Sequence, residues 1–289
     1  MLFLIGVITV VASVVLGYKM HAGDLSLLFQ PNEFIIIIGS AIGSLLIGTS
    51  YTLLSKTIKS LSNLFARYPY SKDDYLELLL FMFNSFKLIK VKGMLEIESH
   101  IENISESDLF AQASSLSKNP TMLEFVRDNL RLIIMGVDNK YHFEDIVDKE
   151  IELKSEDINA PSKVLLHLAD ALPALGIVGA VLGVIITMRS IAEPPEILGS
   201  LIAAALVGTF TGVLLAYGLV GPIAHYLMKF FSDQIRYLEC IKIGFISYLN
   251  GDPPIILVEF MRKSIPEEVR PNFDELDQYI SNYSMKLVN

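Results

Sequence analysis

The sequence predicts an all-α integral membrane protein with four transmembrane helices, a large helical cytoplasmic insert between the second and third helices, and a cytoplasmic C-terminal tail. Two observations predict this class. Four long segments contain no Asp, Glu, Lys or Arg, and the basic residues are distributed very unevenly among the connecting segments. The overall composition agrees, with 52% hydrophobic residues and a mean hydropathy of +0.48.

The four uncharged segments are residues 1–18, 34–55, 171–188 and 197–228. A helix needs about 20 residues to cross the hydrocarbon core of a bilayer, so each segment is long enough to span it. The fourth segment exceeds one membrane thickness, and we expect it to leave the membrane as a helix near Pro222. The first segment lacks the basic start and the A-x-A site of a cleaved signal peptide, so we expect it to be a retained span.

The distribution of Lys and Arg predicts the orientation. The segment between the second and third spans carries 14 of them and the C-terminal segment carries 7, whereas the other two connections carry only Lys19 and Arg189. Cytoplasmic segments are enriched in basic residues. We therefore expect a multi-pass membrane protein with both termini in the cytoplasm.

The long insert reads as helical. Residues 73–90 and 122–137 place apolar side chains three and four positions apart, and Gly93 and the pair Asn119-Pro120 mark breaks between helices. The apolar run 78–86 is too short to span a membrane and predicts a packed soluble helix.

These bounds give four regions. The first two transmembrane helices with their short external loop occupy residues 1–54, and a cytoplasmic helical domain occupies residues 55–165. The third and fourth transmembrane helices occupy residues 166–228, and a cytoplasmic helix and tail occupy residues 229–289. The tail after Asn250 is rich in proline, and we expect it to be partly helical and loosely attached.

The third and fourth spans each predict a helix face of small residues, which lets two backbones approach closely. On the third span the face contains Pro173, Gly176, Ala180 and Gly183. On the fourth it contains Ala205, Gly208, Thr209, Gly212 and Ala216. Such faces serve either helix packing or the lining of an ion path, and the sequence leaves both open. Pro173 is expected to kink its helix because proline lacks a backbone N–H donor.

The uncharged segments predict that no span carries an ionisable side chain near its midplane. Asp170 is expected near the cytoplasmic entry of the third span. A protein that carries ions normally needs an ionisable group inside the membrane. If this chain moves ions, another chain is therefore expected to supply that group.

Composition excludes several other classes. A single cysteine, Cys240, allows no internal disulfide and no cysteine-rich metal site, and the net charge of −9 disfavours a nucleic-acid partner. The sequence holds no phosphate-binding glycine loop, no HExxH motif and no catalytic triad that the topology could assemble. We expect neither enzymatic activity nor a metal or cofactor.

Motifs along nearly the whole chain resemble the MotA family, the larger membrane subunit of the bacterial flagellar stator. Gln30-Pro31-x-Glu33 resembles the family's opening, Asp170-Ala171-Leu172-Pro173 its third span, and Val207-Gly208-Thr209-Phe210 its fourth. The tail contributes Val258-Glu259-Phe260-x-Arg262-Lys263 and Arg270-Pro271-x-Phe273.

The resemblance implies partners. Five such subunits would surround a dimer of the single-span, peptidoglycan-anchored MotB, whose transmembrane helix carries the ion-binding aspartate. Ion passage would turn the ring, and the cytoplasmic insert would push on the flagellar rotor switch complex through Lys90 and Glu98. The family more often has Arg where Lys90 stands, and Lys lacks the planar fork needed for a bidentate contact.

The resemblance also assigns the ion path and its coupling to six residues of the third and fourth spans. They are Asp170, Pro173, Ala180, Thr209, Tyr217 and Pro222. Sodium-driven relatives have Thr seven residues after the third-span proline, whereas Ala180 offers no side-chain oxygen, so proton coupling is expected.

Three alternatives remain at this point. One is the related class of ExbB and TolQ, which has three spans, and a second is a sodium-driven stator homologue. The third is a membrane scaffold without ion flux.

Overall fold

The computed structural model describes residues 2–65 and 70–284. Throughout these residues the secondary structure is helical, and no β-strand is present in them. The structure divides into two compact units. Unit 1 contains Met1–Arg67 and Ile158–Lys229, and unit 2 contains Tyr68–Asp157 and Phe230–Asn289.

Unit 1 carries the membrane-spanning segments. Its helices are α1 (Leu2–Met20), α2 (Leu25–Leu28), α3 (Pro31–Gly48), α4 (Tyr51–Ser60), the outer part of α10 (Lys140–Arg189), α11 (Pro195–Leu215) and the start of α12 (Gly221–Leu249). A π-helical turn, Ala216–Val220, joins α11 to α12. Four segments of the described chain are long and apolar enough to cross a membrane: Leu2–Met20, Leu25–Gly48, Lys140–Arg189 and Pro195–Leu249. The four predicted spans are confirmed, and the fourth continues as helix beyond Pro222 as expected.

The surface of unit 1 is apolar, as a lipid environment requires. Helix α1 has no buried residue, and Ile8, Ile35 and Ile47 are 65%, 71% and 91% exposed. The small buried cluster of unit 1 consists of Ile37, Ala41, Leu172 and Ala216. In this cluster α3 packs against α10 and the π turn. Large exposed apolar surface of this kind is typical of contact with lipid or with other protein chains.

Unit 2 has a hydrophobic core of its own. Its helices are α5 (Lys72–Lys92), α6 (Met94–Glu102), α7 (Asp108–Ala111), α8 (Ser114–Ser117), α9 (Pro120–Ile134), the first part of α10, the rest of α12, α13 (Pro254–Ser264) and α14 (Phe273–Tyr283). The two helices predicted within the insert correspond to α5 and α9, and both are confirmed. Leu78, Phe81 and Met82 on α5 have no exposed surface, so the short apolar run is packed inside unit 2.

Local sequence signals explain where these helices begin and end. Asn119 accepts hydrogen bonds from the backbone N–H groups of Thr121 and Met122, and Pro120 occupies the first helical position of α9. Gly93 ends α5 with a φ of 89°, a backbone conformation that glycine adopts at little cost.

The prediction of a loosely attached tail is wrong. Leu257, Val258 and Met261 of α13 are fully buried in the core of unit 2, and Ile280 of α14 lies at its edge. Glu275 of α14 also forms a 3.1 Å ion pair with Lys72 of α5. Proline-rich connections only set the ends of α13 and α14, while their apolar faces fix both helices to the domain.

Candidate functional site

Helices α10 and α11 cross in very close contact within unit 1. A methyl group added at Gly176 would lie 2.8 Å from the carbonyl oxygen of Gly208 and 3.1 Å from the Cα atom of Gly212. A methyl group at Gly212 would lie 2.6 Å from the carbonyl oxygen of Leu172. Because no side chain larger than hydrogen fits, the small-residue faces of the third and fourth spans pack directly on each other.

Three of the six predicted ion-path residues lie at this crossing. The Leu172 carbonyl that faces Gly212 is bonded to the ring nitrogen of Pro173, and the Thr209 Cα atom lies 3.3 Å from a methyl group placed on Gly176. The backbone nitrogen of Ala180 lies 3.3 Å from a methyl group placed on Gly208. Helix α10 passes through Pro173 without ending, and the proposed kink stays a prediction.

The other three predicted residues do not join the crossing. Asp170 is exposed on α10, nearly one turn before Pro173, and Pro222 is exposed in the first turn of α12. Tyr217 is 70% exposed within the π turn.

The π turn has a local cause. Gly221 donates its N–H group to the carbonyl oxygen of Ala216, five residues earlier, instead of to the residue four earlier. The residue four before Pro222 is Gly218, whose carbonyl would clash with the proline ring in an unbroken α-helix. Insertion of one π turn removes that conflict, and such turns often occur at functional positions.

A carboxylate that the sequence prediction missed lies against the same crossing. Glu33 is only 8% exposed, and its carboxylate lies beside three glycines of α10 and α11. A Cβ atom added to Gly179, Gly183 or Gly208 would lie next to one of the oxygen atoms of Glu33. Its Oε2 atom lies 2.5 Å from a methyl group placed on Gly208, and Oε1 lies 3.6 Å from one placed on Gly183. The Oε2 atom is buried and has no hydrogen-bond partner among the described residues.

The prediction that the spans lack an ionisable side chain near the midplane stays a prediction, but Glu33 belongs to the helix of the second span, which the uncharged segment did not include. Charge alone placed the start of the second span at Phe34, whereas helix α3 begins at Pro31 with Gln30 as its N-cap residue. Proline is favoured at the first helical position, so Gln30-Pro31 was the available signal that Glu33 belongs to the first turn of the helix. Acidic residues in a first turn are stabilised by the helix dipole.

Gly39 and Gly43 lie four positions apart on α3 and form a stripe of small residues there. A methyl group added at either position would meet no described atom within 4 Å. This stripe of α3 is open in the single chain.

Lys90 and Glu98 lie on unit 2. Lys90 is exposed near the end of α5, and Glu98 is half-buried on α6. Neither side chain forms an ion pair or hydrogen bond with a described residue, whereas their neighbours Lys92 and Glu96 pair with each other at 3.1 Å. Both charges are thus available to another molecule.

The described residues contain no group of three or more His, Cys, Asp or Glu side chains arranged to hold a metal ion. Cys240 is fully buried in unit 2, where burial raises the pKa of its thiol to about 12. Within unit 1, the buried carboxylate that lies against the crossing is that of Glu33.

Comparison with known families agrees with this arrangement. The model for the motility protein A N-terminal region matches residues 4–93, and that for the MotA/TolQ/ExbB proton channel family matches residues 100–240. Motility protein A of Salmonella typhimurium is 39% identical over 280 residues, which cover 97% of this chain and 95% of that protein. The chain belongs to the motility protein A family.

Further relatives support the membership. Motility protein A of Escherichia coli is 40% identical over 97% of this chain and 95% of that protein. The stator complex structure titled MotAB from Bacillus subtilis gives a TM-score of 0.73 at 23% identity and covers 91% of this chain and 95% of that chain. The C. jejuni MotAB structure gives a TM-score of 0.75 at 18% identity and covers 94% of this chain and 98% of that chain. At these identities the two structures establish the shared fold.

Proposed function

We propose that this chain is the larger membrane subunit of a flagellar stator, which conducts protons with a MotB-type partner and converts the flux into torque on the rotor. The observation that carries this proposal is the 39% identity to a motility protein A over 97% of the chain. The glycine crossing of α10 and α11 supports the proposal. Two helices packed this tightly form a rigid surface, and a partner helix can move along it.

The proposal includes an assembly. Five copies would surround a dimer of the partner, and the open stripe of Gly39 and Gly43 would allow another helix to approach α3 closely. The exposed apolar side chains of α1 and α3 would then face lipid or a neighbouring copy. Both termini would lie in the cytoplasm of a bacterial cell, and the chain would sit in its inner membrane.

Torque would be delivered through unit 2. Lys90 and Glu98 carry charges without partners in the described chain, and a charge without a partner on its own surface is free to pair with a rotor subunit. Lys90→Glu and Glu98→Lys are each expected to impair motility. A matching charge reversal on the rotor is expected to restore part of it, whereas purely additive single defects would exclude an electrostatic contact. Lys92→Glu is a useful control, because it breaks only an exposed pair within the chain.

The decisive experiment is complementation. The chain is expressed with its partner, a single-span protein that carries a membrane aspartate and a peptidoglycan-binding domain, in a motile host that lacks its own stators. Swimming that requires both chains supports the proposal. Full motor function from the partner with an unrelated four-span protein would contradict it.

The ExbB and TolQ class is a weaker candidate function. The proton-channel family model covers both classes, but the motility-specific model also matches residues 4–93. The class has three spans, whereas the described residues contain four candidate spans.

The coupling ion is proposed to be the proton. Ala180 carries no side-chain oxygen, and a dehydrated metal cation needs several oxygen ligands. Swimming speed is expected to be independent of external sodium at fixed pH and membrane potential, and to fall to zero with a protonophore. Sodium-dependent swimming that resists the protonophore would reverse this assignment.

A further inference from the structure

We propose that Glu33 is a proton-binding residue of the ion path, so that this chain itself supplies a carboxyl group inside the membrane. The proposal rests on the function above and adds to it a second acid beside the one expected on the partner. Its basis is the position of the Glu33 carboxylate between α3, α10 and α11.

The space for this carboxylate exists only because three neighbouring positions are glycine. A methyl group on Gly179 or Gly208 would overlap the Oε2 atom, and one on Gly183 would lie 3.6 Å from Oε1. The side chain is 8% exposed, and the buried Oε2 atom has no hydrogen-bond partner among the described residues. The glycine faces therefore do more than join two helices, because they also form a fitted cradle for one acid.

An ionised carboxylate is costly in such a place. Its charge would be removed from water, and one oxygen would lack a donor. The group is therefore paired with a proton or a metal cation. The three glycines of the cradle, and Ala205 and Ile36 beside them, carry no side-chain oxygen. A hard metal cation needs several oxygen ligands, which these residues do not supply. A proton needs only one oxygen atom, which holds it in an O–H bond.

The neighbours of the cradle connect Glu33 with the proposed path. Gly179 precedes Ala180 and Gly208 precedes Thr209 in the sequence, and both of those residues lie at the crossing. An acid needed only for packing would be replaceable by an apolar side chain of equal size, at no cost in unpaired polar atoms. In the proposed step the proton held by one Glu33 oxygen passes to the partner's carboxylate, so that the O–H bond on Glu33 breaks and one forms on the partner. A proton from the outer water then binds the ionised Glu33 oxygen and restores the neutral acid.

The test uses the purified complex of this chain with its partner in liposomes, where a potassium diffusion potential drives proton uptake and a pH-sensitive dye reports it. Glu33→Gln keeps the shape but cannot exchange a proton, and is expected to lower uptake about tenfold or more. Glu33→Asp keeps the acid and is expected to retain a substantial part of the uptake. Glu196→Gln, which changes an exposed acid in the first turn of α11, is the matched control and is expected to behave as the parent complex.

Infrared spectroscopy of the same samples gives a second measurement. The carbonyl band of protonated carboxylic acids should be weaker in Glu33→Gln than in the parent complex and unchanged in Glu196→Gln. Unchanged uptake and an unchanged band in Glu33→Gln would overturn the proposal. So would failure of both Glu33→Gln and Glu33→Asp to assemble with the partner, because the residue would then serve packing. A parent complex that conducts no protons would instead refute the proposed function, and this inference with it.

Discussion

The crossing of α10 and α11 is testable by adding a single methyl group. In Gly212→Ala the new Cβ atom would lie 2.6 Å from the carbonyl oxygen of Leu172 and 3.0 Å from the Cα atom of Gly176. Real Cβ atoms essentially never approach closer than 3.0 Å, so the helices must separate by at least 0.4 Å at this point. Both contacts are with backbone atoms, which cannot rotate away as the end of a side chain can.

The expected magnitude follows from two opposing effects. Overpacking a tight contact costs about 1–3 kcal/mol, whereas replacement of glycine by alanine inside a helix contributes about 1 kcal/mol of stabilisation. Gly199→Ala on the same helix isolates the second effect, because a methyl group there meets no described atom within 4 Å. Gly212→Ala should therefore be less stable than Gly199→Ala by about 1–3 kcal/mol.

The measurement is unfolding of the purified chain in detergent micelles by increasing sodium dodecyl sulfate, followed by circular dichroism. Swimming of cells that carry each variant with the partner is recorded in parallel. We expect Gly212→Ala to lower both stability and motility and Gly199→Ala to leave motility unchanged. Equal unfolding midpoints for the two variants would show that the helices are not in tight contact at Gly212, and the account of the crossing would fail.

Three further predictions concern single residues. Pro173→Ala restores a backbone donor inside α10, so motility should fall while expression and co-purification with the partner persist. Normal swimming of this variant would show that Pro173 has no role in coupling. Arg262 donates two hydrogen bonds to Glu259, at 2.6 and 2.7 Å, and thereby lowers the pKa of that carboxyl below its usual 4.5. The pair therefore stabilises unit 2 above pH 4.5, and this contribution is lost as the pH falls through the lowered pKa. Glu259→Gln should cost about 1.5–3 kcal/mol at neutral pH and weaken the acid dependence of unfolding, and an unaltered acid profile would contradict the assignment. Burial raises the pKa of Cys240 to about 12, so maleimide should label the chain only after unfolding, and rapid labelling of the native chain would contradict the packing of α12.

Much of the fold could be predicted because a membrane imposes simple rules. Uncharged length located all four spans, and the three-and-four spacing of apolar residues located α5 and α9. The same spacing could not show that α13 packs into unit 2. Periodicity indicates that a helix has a face to bury, whereas the partner for that face is set by long-range packing. Proline-rich connections before Leu257 therefore suggested a loose tail, although that residue is fully buried.

The candidate site shows the same division between local and long-range information. Pro173, Ala180 and Thr209 were predicted from helix faces and family motifs, and the structure brings them to one crossing. Asp170, Tyr217 and Pro222 were predicted from motifs alone, and each is exposed in the single chain. A motif indicates that a residue type occurs at a position, but not which other element covers it.

Glu33 changes the argument about the coupling ion without reversing it. Of the two facing residues Ala180 and Thr209, only Thr209 carries a side-chain oxygen. The carboxylate in the glycine cradle adds two more, Oε2 beside Gly179 and Gly208 and Oε1 beside Gly183. The three oxygens of Thr209 and Glu33 are fewer than the roughly six that hard cations take in proteins. A carboxyl group in a dry site does, however, provide what a proton needs, since one oxygen can hold it and the neutral acid incurs no cost of burying a charge. Gly179, Gly183 and Gly208 hold that acid with its Oε2 atom buried and without a hydrogen-bond partner among the described residues, and this arrangement favours the proton as the ion that it exchanges.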